Sequence, residues 1–229
     1  MKKIILFLFL SFNSAHAVDL IVPTGAGGTM HKFSTIIVDE MSKQGYDINM
    51  VLAGNCVQAK QKFDSSDVAI MMNAEATQIV DGCDIPITEK NYATTLFTTD
   101  WRLVSKNGKP GARLGVVSMM KDIFSDTSSK IIPYANTSEL DAALLAGEVD
   151  SIFTVISKSN KEGYQATQYL DIQLNYYLLK KGPVEDVIAM IETNQMLNTI
   201  GNTKGIAPKL FNTTKEQIAY LNKNEATWR

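Results

Sequence analysis

The chain is 229 residues long, with 22 basic and 24 acidic side chains, a formal net charge of −2 and 45% apolar residues. That mildly acidic, unclustered balance excludes the Lys/Arg patches that nucleic acids and anionic membranes call for. Two histidines and two cysteines, with no CxxC spacing, exclude a zinc site of the usual ligand pattern.

The N-terminus reads as an export signal. Lys2 and Lys3 precede an apolar run over residues 4–12, broken only by Ser11, and Ala15-His16-Ala17 has the small-x-small pattern that a signal peptidase cuts after. The run is too short to span a bilayer, which takes roughly 20 residues. Cleavage after Ala17 and a periplasmic location are therefore expected. Removing residues 1–17 takes away two lysines and no acids, leaving 212 residues with 20 basic and 24 acidic groups, a net charge of −4. No Cys follows the cleavage point, so no lipid anchor is expected there. In an oxidising compartment Cys56 and Cys83 predict a disulfide.

Residues 18–22 (VDLIV) are a short apolar, β-branched run closed by Pro23, which predicts a buried strand. Phe33, Ile36, Ile37 and Met41 recur at helical spacing and predict an amphipathic helix over 30–43. A strand over 48–52, a helix over 57–63 and a strand over 68–72 follow. Strand alternating with helix in this way predicts a parallel sheet with right-handed crossovers.

Residues 81–91 read as a loop, 96–99 and 102–104 as short extended pieces around Asp100, and Asn107-Gly108-Lys109-Pro110-Gly111 as a turn where the chain crosses to a second lobe. The alternation then restarts: strand 114–117, helix 118–124, strand 130–134, helix 138–146 ended by Gly147, and strand 151–154. An extended stretch over 174–179 returns to the first lobe. Gly182-Pro183 predicts a helix with Pro in its first position, Glu185 and Asp186 in its first turn, and a stripe of Val184, Val187, Ile188 and Ile191. Thr213 with Glu216 is a capping box for a final helix reaching Trp228. An α/β protein of two lobes is expected: 18–100 in the first, 101–176 in a shortened second, and 177–229 back in the first.

One segment carries chemistry. Val22-Pro23-Thr24-Gly25-Ala26-Gly27-Gly28-Thr29 joins the first strand to the first helix, where helix amides are unpaired and the dipole is positive. Gly25, Gly27 and Gly28 allow the backbone to form a concave nest, which suits a carboxylate as it suits a phosphate. It is not a Walker loop, since no Gly-Lys-Ser/Thr follows, and Met30 stands where the dinucleotide fingerprint has its third Gly. A turn that only tightens strand–helix packing is the alternative reading.

Further segments add a resemblance: Val22-Pro23 with Gly27-Gly28, Leu52-Ala53-Gly54-Asn55, Ile132-Pro133-Tyr134, Leu144-Leu145-Ala146-Gly147-Glu148-Val149-Asp150, Gly182-Pro183, Gly201, and the closing Glu225-Ala226-Thr227-Trp228. In this order they resemble the substrate-binding receptors of tripartite tricarboxylate transporters, the Bug family. The resemblance implies a two-lobed periplasmic-binding-protein fold of type II-like form, with a small carboxylate in the cleft between the lobes and membrane permease subunits as partners. It also implies a monomer with no cofactor and no catalytic residues.

Carried over by position, the implied ligand residues are Thr24, Gly25, Ala26, Gly27, Gly28 and Thr29 in the first loop, and Asn73 and Glu75 after the third strand. In the second lobe they are Val117, Ser118, Tyr134, Asn136, Thr137 and Thr154. Several have plainer alternatives: Tyr134 packing under a lobe, Ser118 capping a helix, Glu75 as a solvated acid at a helix start. A Glu75 facing the cleft would repel a second carboxylate. The chain departs from the family at Thr24, where Phe is frequent, and at His31, where Asp is frequent. His31 either meets the ligand or lies outside on the helix, and the latter is favoured. The stretch between Thr154 and Leu174 is also much shorter than the family's, so ligand identity does not transfer. The same fold could instead serve a membrane sensor, or persist as a protein-interaction module.

Overall fold

The computed structural model describes residues 17–74, 83, 85–155, 159–170, 172–193, 206–207 and 213–228. Residues 1–16, where the export signal is expected, and Glu75 lie outside them. No helix among the described residues is long and apolar enough to cross a membrane.

Strand β1 (Val18–Val22) is buried at every position but Asp19, as its otherwise apolar run requires. It lies parallel between β2 (Ile48–Leu52) and β3 (Ala69–Ala74). Helix α1 (Thr29–Lys43) crosses back between β1 and β2, burying Met30, Phe33, Ser34, Ile37 and Met41 on one face. Helix α2 (Cys56–Ser65) is capped by Asn55, whose side chain accepts the Gln58 N–H at 2.9 Å.

Cys56 opens α2 and is bonded to Cys83, with Cα atoms 5.7 Å apart and a sequence separation of 27. The expected disulfide is present. Reducing it is expected to lower the unfolding free energy by about 3–4 kcal/mol on the chain-entropy account. Urea melts with and without a phosphine reductant measure this, and equal midpoints would contradict it.

The two pieces expected around Asp100 are one 14-residue strand, β4 (Tyr92–Ser105). It stays extended through Asp100 because partners change while pairing continues. From Tyr92 to Asp100 it runs antiparallel to β9 (Gln173–Lys181). From Trp101 to Ser105 it pairs with β7 (Ser151–Val155), and from Leu103 to Ser105 also with β8 (Gln165–Thr167) on its other edge. The short β10 (Ile206–Ala207) pairs Thr99 and Thr98. With β5 (Arg113–Val117) and β6 (Lys130–Tyr134), the sheet is ordered β2-β1-β3-β9-β4-β7-β5-β6, so β4 belongs to both of its halves.

In the second half, β5 lies parallel to both β6 and β7. The helix expected over 118–124 is a 3-10 helix (Ser118–Phe124) anchored by buried Phe124. Helix α3 (Thr137–Leu145) ends before Gly147, whose φ of +73° only glycine adopts without strain. Arg113 forks onto Asp150 at 2.8 Å and holds its carboxyl below the usual range, tying the start of β5 to the turn before β7.

Helix α4 (Glu185–Ile191) begins two residues after Pro183 rather than on it. Gly182 takes φ +72° and Val184 φ −124°, so Pro183 belongs to the turn. Its stripe of Val187, Ile188 and Ile191 is buried as expected. Before α5 (Thr214–Trp228), Thr213 Oγ1 accepts the Glu216 N–H at 3.2 Å, the bond that the capping box predicts.

Candidate functional site

The loop after β1 and the loop after β6 meet across the gap between the two halves of the sheet. Ser138 Oγ, at the start of α3, donates to the Gly27 carbonyl at 2.8 Å across 111 residues of sequence. A Cβ placed on Gly28 would stand 3.4 Å from Asn136 Cβ. The lobes are therefore in contact, and a cavity of about 40 Å³ remains between them.

Its first wall is Thr24, Gly28, Thr29 and Met30 from the β1–α1 junction; its second is Val117, Ala135, Asn136 and Thr137 from lobe 2. Trp101 of β4 and Tyr176 of β9 complete the lining. Of the sequence-predicted positions, Thr24, Gly28, Thr29, Val117, Asn136 and Thr137 come together here.

The two facing helix ends differ. Gly28 caps α1 with no side-chain hydrogen bond, and among the described residues no acceptor meets the amides of Thr29, Met30 or His31. At α3, Asn136 Oδ1 accepts from Ser138 N at 2.9 Å and Glu139 N at 3.1 Å, while Glu139 reaches back to the Ala135 amide at 3.1 Å. This reciprocal cap saturates one end and brings an acid to it. Helix amides without an acceptor among the described residues are thus concentrated at α1.

Gly27 shapes that end: its φ is +91°, and its N–H donates to His31 Nδ1 at 3.1 Å, one turn further along the helix. His31 therefore fastens the loop to α1 from within.

Other predicted positions lie elsewhere. Gly25 and Ala26 are exposed on the loop and do not line the cavity. Ser118 donates to the Tyr134 carbonyl at 2.9 Å, and Val117 rather than Ser118 caps the 3-10 helix. Tyr134 rests its ring over Gly115 and points its hydroxyl toward Glu148 at 3.5 Å. Asn73 and Thr154 are fully buried. Asn73 is paired with Tyr177 and Thr154 with Arg102, so both share a sheet face opposite to that of Tyr176 and Trp101.

Met30, Ala135, Trp101 and Tyr176 were not legible as cleft residues. Trp101 and Tyr176 sit on crossing strands whose sequences show extended character and nothing that marks a ligand site. Trp101 stacks on Phe153 with centroids 5.8 Å apart, and Tyr176 on Phe97 at 4.5 Å. Burial holds the Tyr176 phenol well above its usual range, so it stays neutral. Among the described residues, no lining side chain is charged. Trp101 Nε1 and Thr137 Oγ1 are buried with no hydrogen-bond partner.

A larger groove of about 260 Å³, lined in part by Lys106, Lys109, Asp150 and Tyr164, lies at the C-terminal end of α3. It touches lobe 2 only, so a molecule there would not bridge the lobes.

The Ser138–Gly27 bond supports the closed arrangement. Its loss in Ser138→Ala is expected to cost about 1 kcal/mol, roughly a fivefold shift toward open forms. Distance measurements between spin labels on the two lobes read this, and unchanged distributions would show the bond to be incidental.

No protein family and no curated protein matches the sequence. Solved structures do match. One, of a periplasmic transporter, superposes with a TM-score of 0.71 at 15% identity over 94% of this chain and 96% of its own. MatC from Rhodopseudomonas palustris, solved with bound malate, gives 0.71 at 12% identity over 93% and 97%. A second R. palustris protein, solved with adipate, gives 0.71 at 10% identity over 93% and 94%. Superposition along almost the whole of both chains, together with the strand shared between the two halves of the sheet, identifies the fold as the two-lobed α/β fold of the periplasmic solute-binding proteins.

Proposed function

We propose that the protein is a periplasmic receptor that captures a small organic carboxylate between its lobes and presents the closed form to a membrane permease, as a compact, divergent relative of the Bug-type receptors. One observation carries this reading: the α1 amides of Thr29, Met30 and His31 meet no acceptor among the described residues, and Thr29 and Met30 line the interlobe cleft, while the opposing helix end is capped by its own side chains. A carboxylate satisfies amides and helix dipole together. By touching both lobes it favours the closed state in proportion to the contacts made only there. The malate and adipate held by the fold's relatives are of the same chemical class.

The lobes, taken as 18–100 with 177–229 and as 101–176, would pivot where β4 changes partners, between Asp100 and Trp101, and at the neighbouring start of β9. Export through the N-terminal segment delivers the receptor to its ligand, and binding and release require no reaction. A thermal-shift screen of organic acids on the mature chain tests the reading. A ligand at 100 times its dissociation constant adds about 2.7 kcal/mol of stability. A screen in which no acid raises the melting temperature, confirmed by calorimetry, would refute it.

A further inference from the structure

From the cleft lining we infer that the ligand is a short monocarboxylate, and that the Trp101 indole N–H and the Thr137 hydroxyl are the side-chain donors that select it. This rests on the carboxylate-capture reading and narrows it.

Trp101 and Thr137 both line the cleft and are 2% and 4% exposed, and the polar atom of each side chain is without a partner. Buried donors without partners are rare, and a bound group or water is one reason they persist. They reach the cleft from elements other than α1: Trp101 from the strand shared by both lobes, Thr137 from the first turn of α3. A carboxylate seated on the α1 amides would receive hydrogen bonds from all three elements only when the lobes are shut.

The rest of the lining limits what accompanies that carboxylate. Trp101 and Tyr176 are braced from behind by Phe153 and Phe97, so the aromatic floor does not yield easily. Met30 and Val117 add apolar surface. With no cation among the described lining residues, a second carboxylate would be desolvated with no partner among them. The space left between the lobes, about 40 Å³, compares with roughly 300–1,000 Å³ for a pocket that takes a drug-sized ligand. One negative group with a tail of a few carbons matches these walls; a long diacid does not.

Calorimetric titration of the mature, disulfide-bonded chain with acetate, propionate, succinate and adipate tests this. Acetate or propionate is expected to bind at least about tenfold more tightly than either diacid. Trp101→Phe keeps an aromatic ring but removes the N–H with part of the indole; it should lower the melting temperature by a few degrees and weaken the preferred monoacid about tenfold in the folded protein. Thr137→Val should weaken binding similarly and Thr137→Ser should restore it.

The chain has two tryptophans, Trp101 and Trp228, so Trp228→Phe assigns the indole N–H resonances even if Trp101→Phe does not fold. The Trp101 indole proton should shift on adding the monoacid. Diacids binding as tightly as monoacids, an unmoved indole resonance, or full-strength binding by a folded Trp101→Phe would overturn the inference and leave carboxylate capture standing. Binding of none of the four acids would overturn both.

Discussion

Gly27→Val loses carboxylate affinity by about 100-fold while the protein stays folded, the loss expected when charge-assisted amide contacts are removed. The cause is conformational. Gly27 sits at φ +91° with nothing within 4 Å of where a Cβ would be, so a side chain has room but no allowed backbone. A β-branched residue relieves the strain by turning the loop. That breaks the Gly27 N–H contact to His31 and withdraws the Gly27 carbonyl from Ser138. The amides of α1 then lose their approach geometry, and the closed state loses its cross-lobe bond. The neighbouring loop residues Gly25 and Ala26 are exposed, so the core is spared. Calorimetry with the preferred acid and a circular-dichroism melt, run on the same sample, separate the two effects. Undiminished affinity in a folded variant would remove the first loop from the site.

Phe97→Ala should have the largest effect on stability, about 3–5 kcal/mol for an aromatic truncated in a packed core. Phe97 is fully buried between α1 and the crossing strands, with its ring 4.2 Å from Phe33 and 4.5 Å from Tyr176. Truncation opens a cavity directly beneath the aromatic floor of the cleft. Affinity should fall with stability, because Tyr176 loses the surface that holds it. Phe97→Leu refills much of the volume and should recover most of both. Denaturant melts give the stability change; a loss below 1 kcal/mol would show that the tier collapses without cost and is not the support assigned to it.

The sequence carried the secondary elements well where local physics decides them. Pro23 and the glycines after the VDLIV run stop β1, Asn55 and Thr213 open helices with side-chain caps, and the Phe33–Ile37–Met41 spacing sets the buried face of α1. It was less informative where a segment's state depends on distant partners. Around Asp100 the residues show a polar interruption, yet β9, β10 and β7 in turn pair that stretch and keep it extended. The 3-10 winding of 118–124, and β8 with its exposed residues, have no periodic signal to find.

The site divides in the same way. Read alone, the sequence pointed to a glycine-rich turn at the start of the first long helix as the candidate anion site, because glycine spacing and a strand–helix junction are local properties. It also determined the pairing of the two cysteines, since only two are present in the chain. Only the tertiary structure decided what faces that turn. Strand pairing turned Asn73 and Thr154 away from the cleft and Trp101 and Tyr176 toward it. Lobe contact brought Ser138 to Gly27. A side chain's sheet face follows from register, and its neighbour across a cleft follows from how two lobes meet. Both are set by contacts far apart in the chain, and no window of sequence contains them.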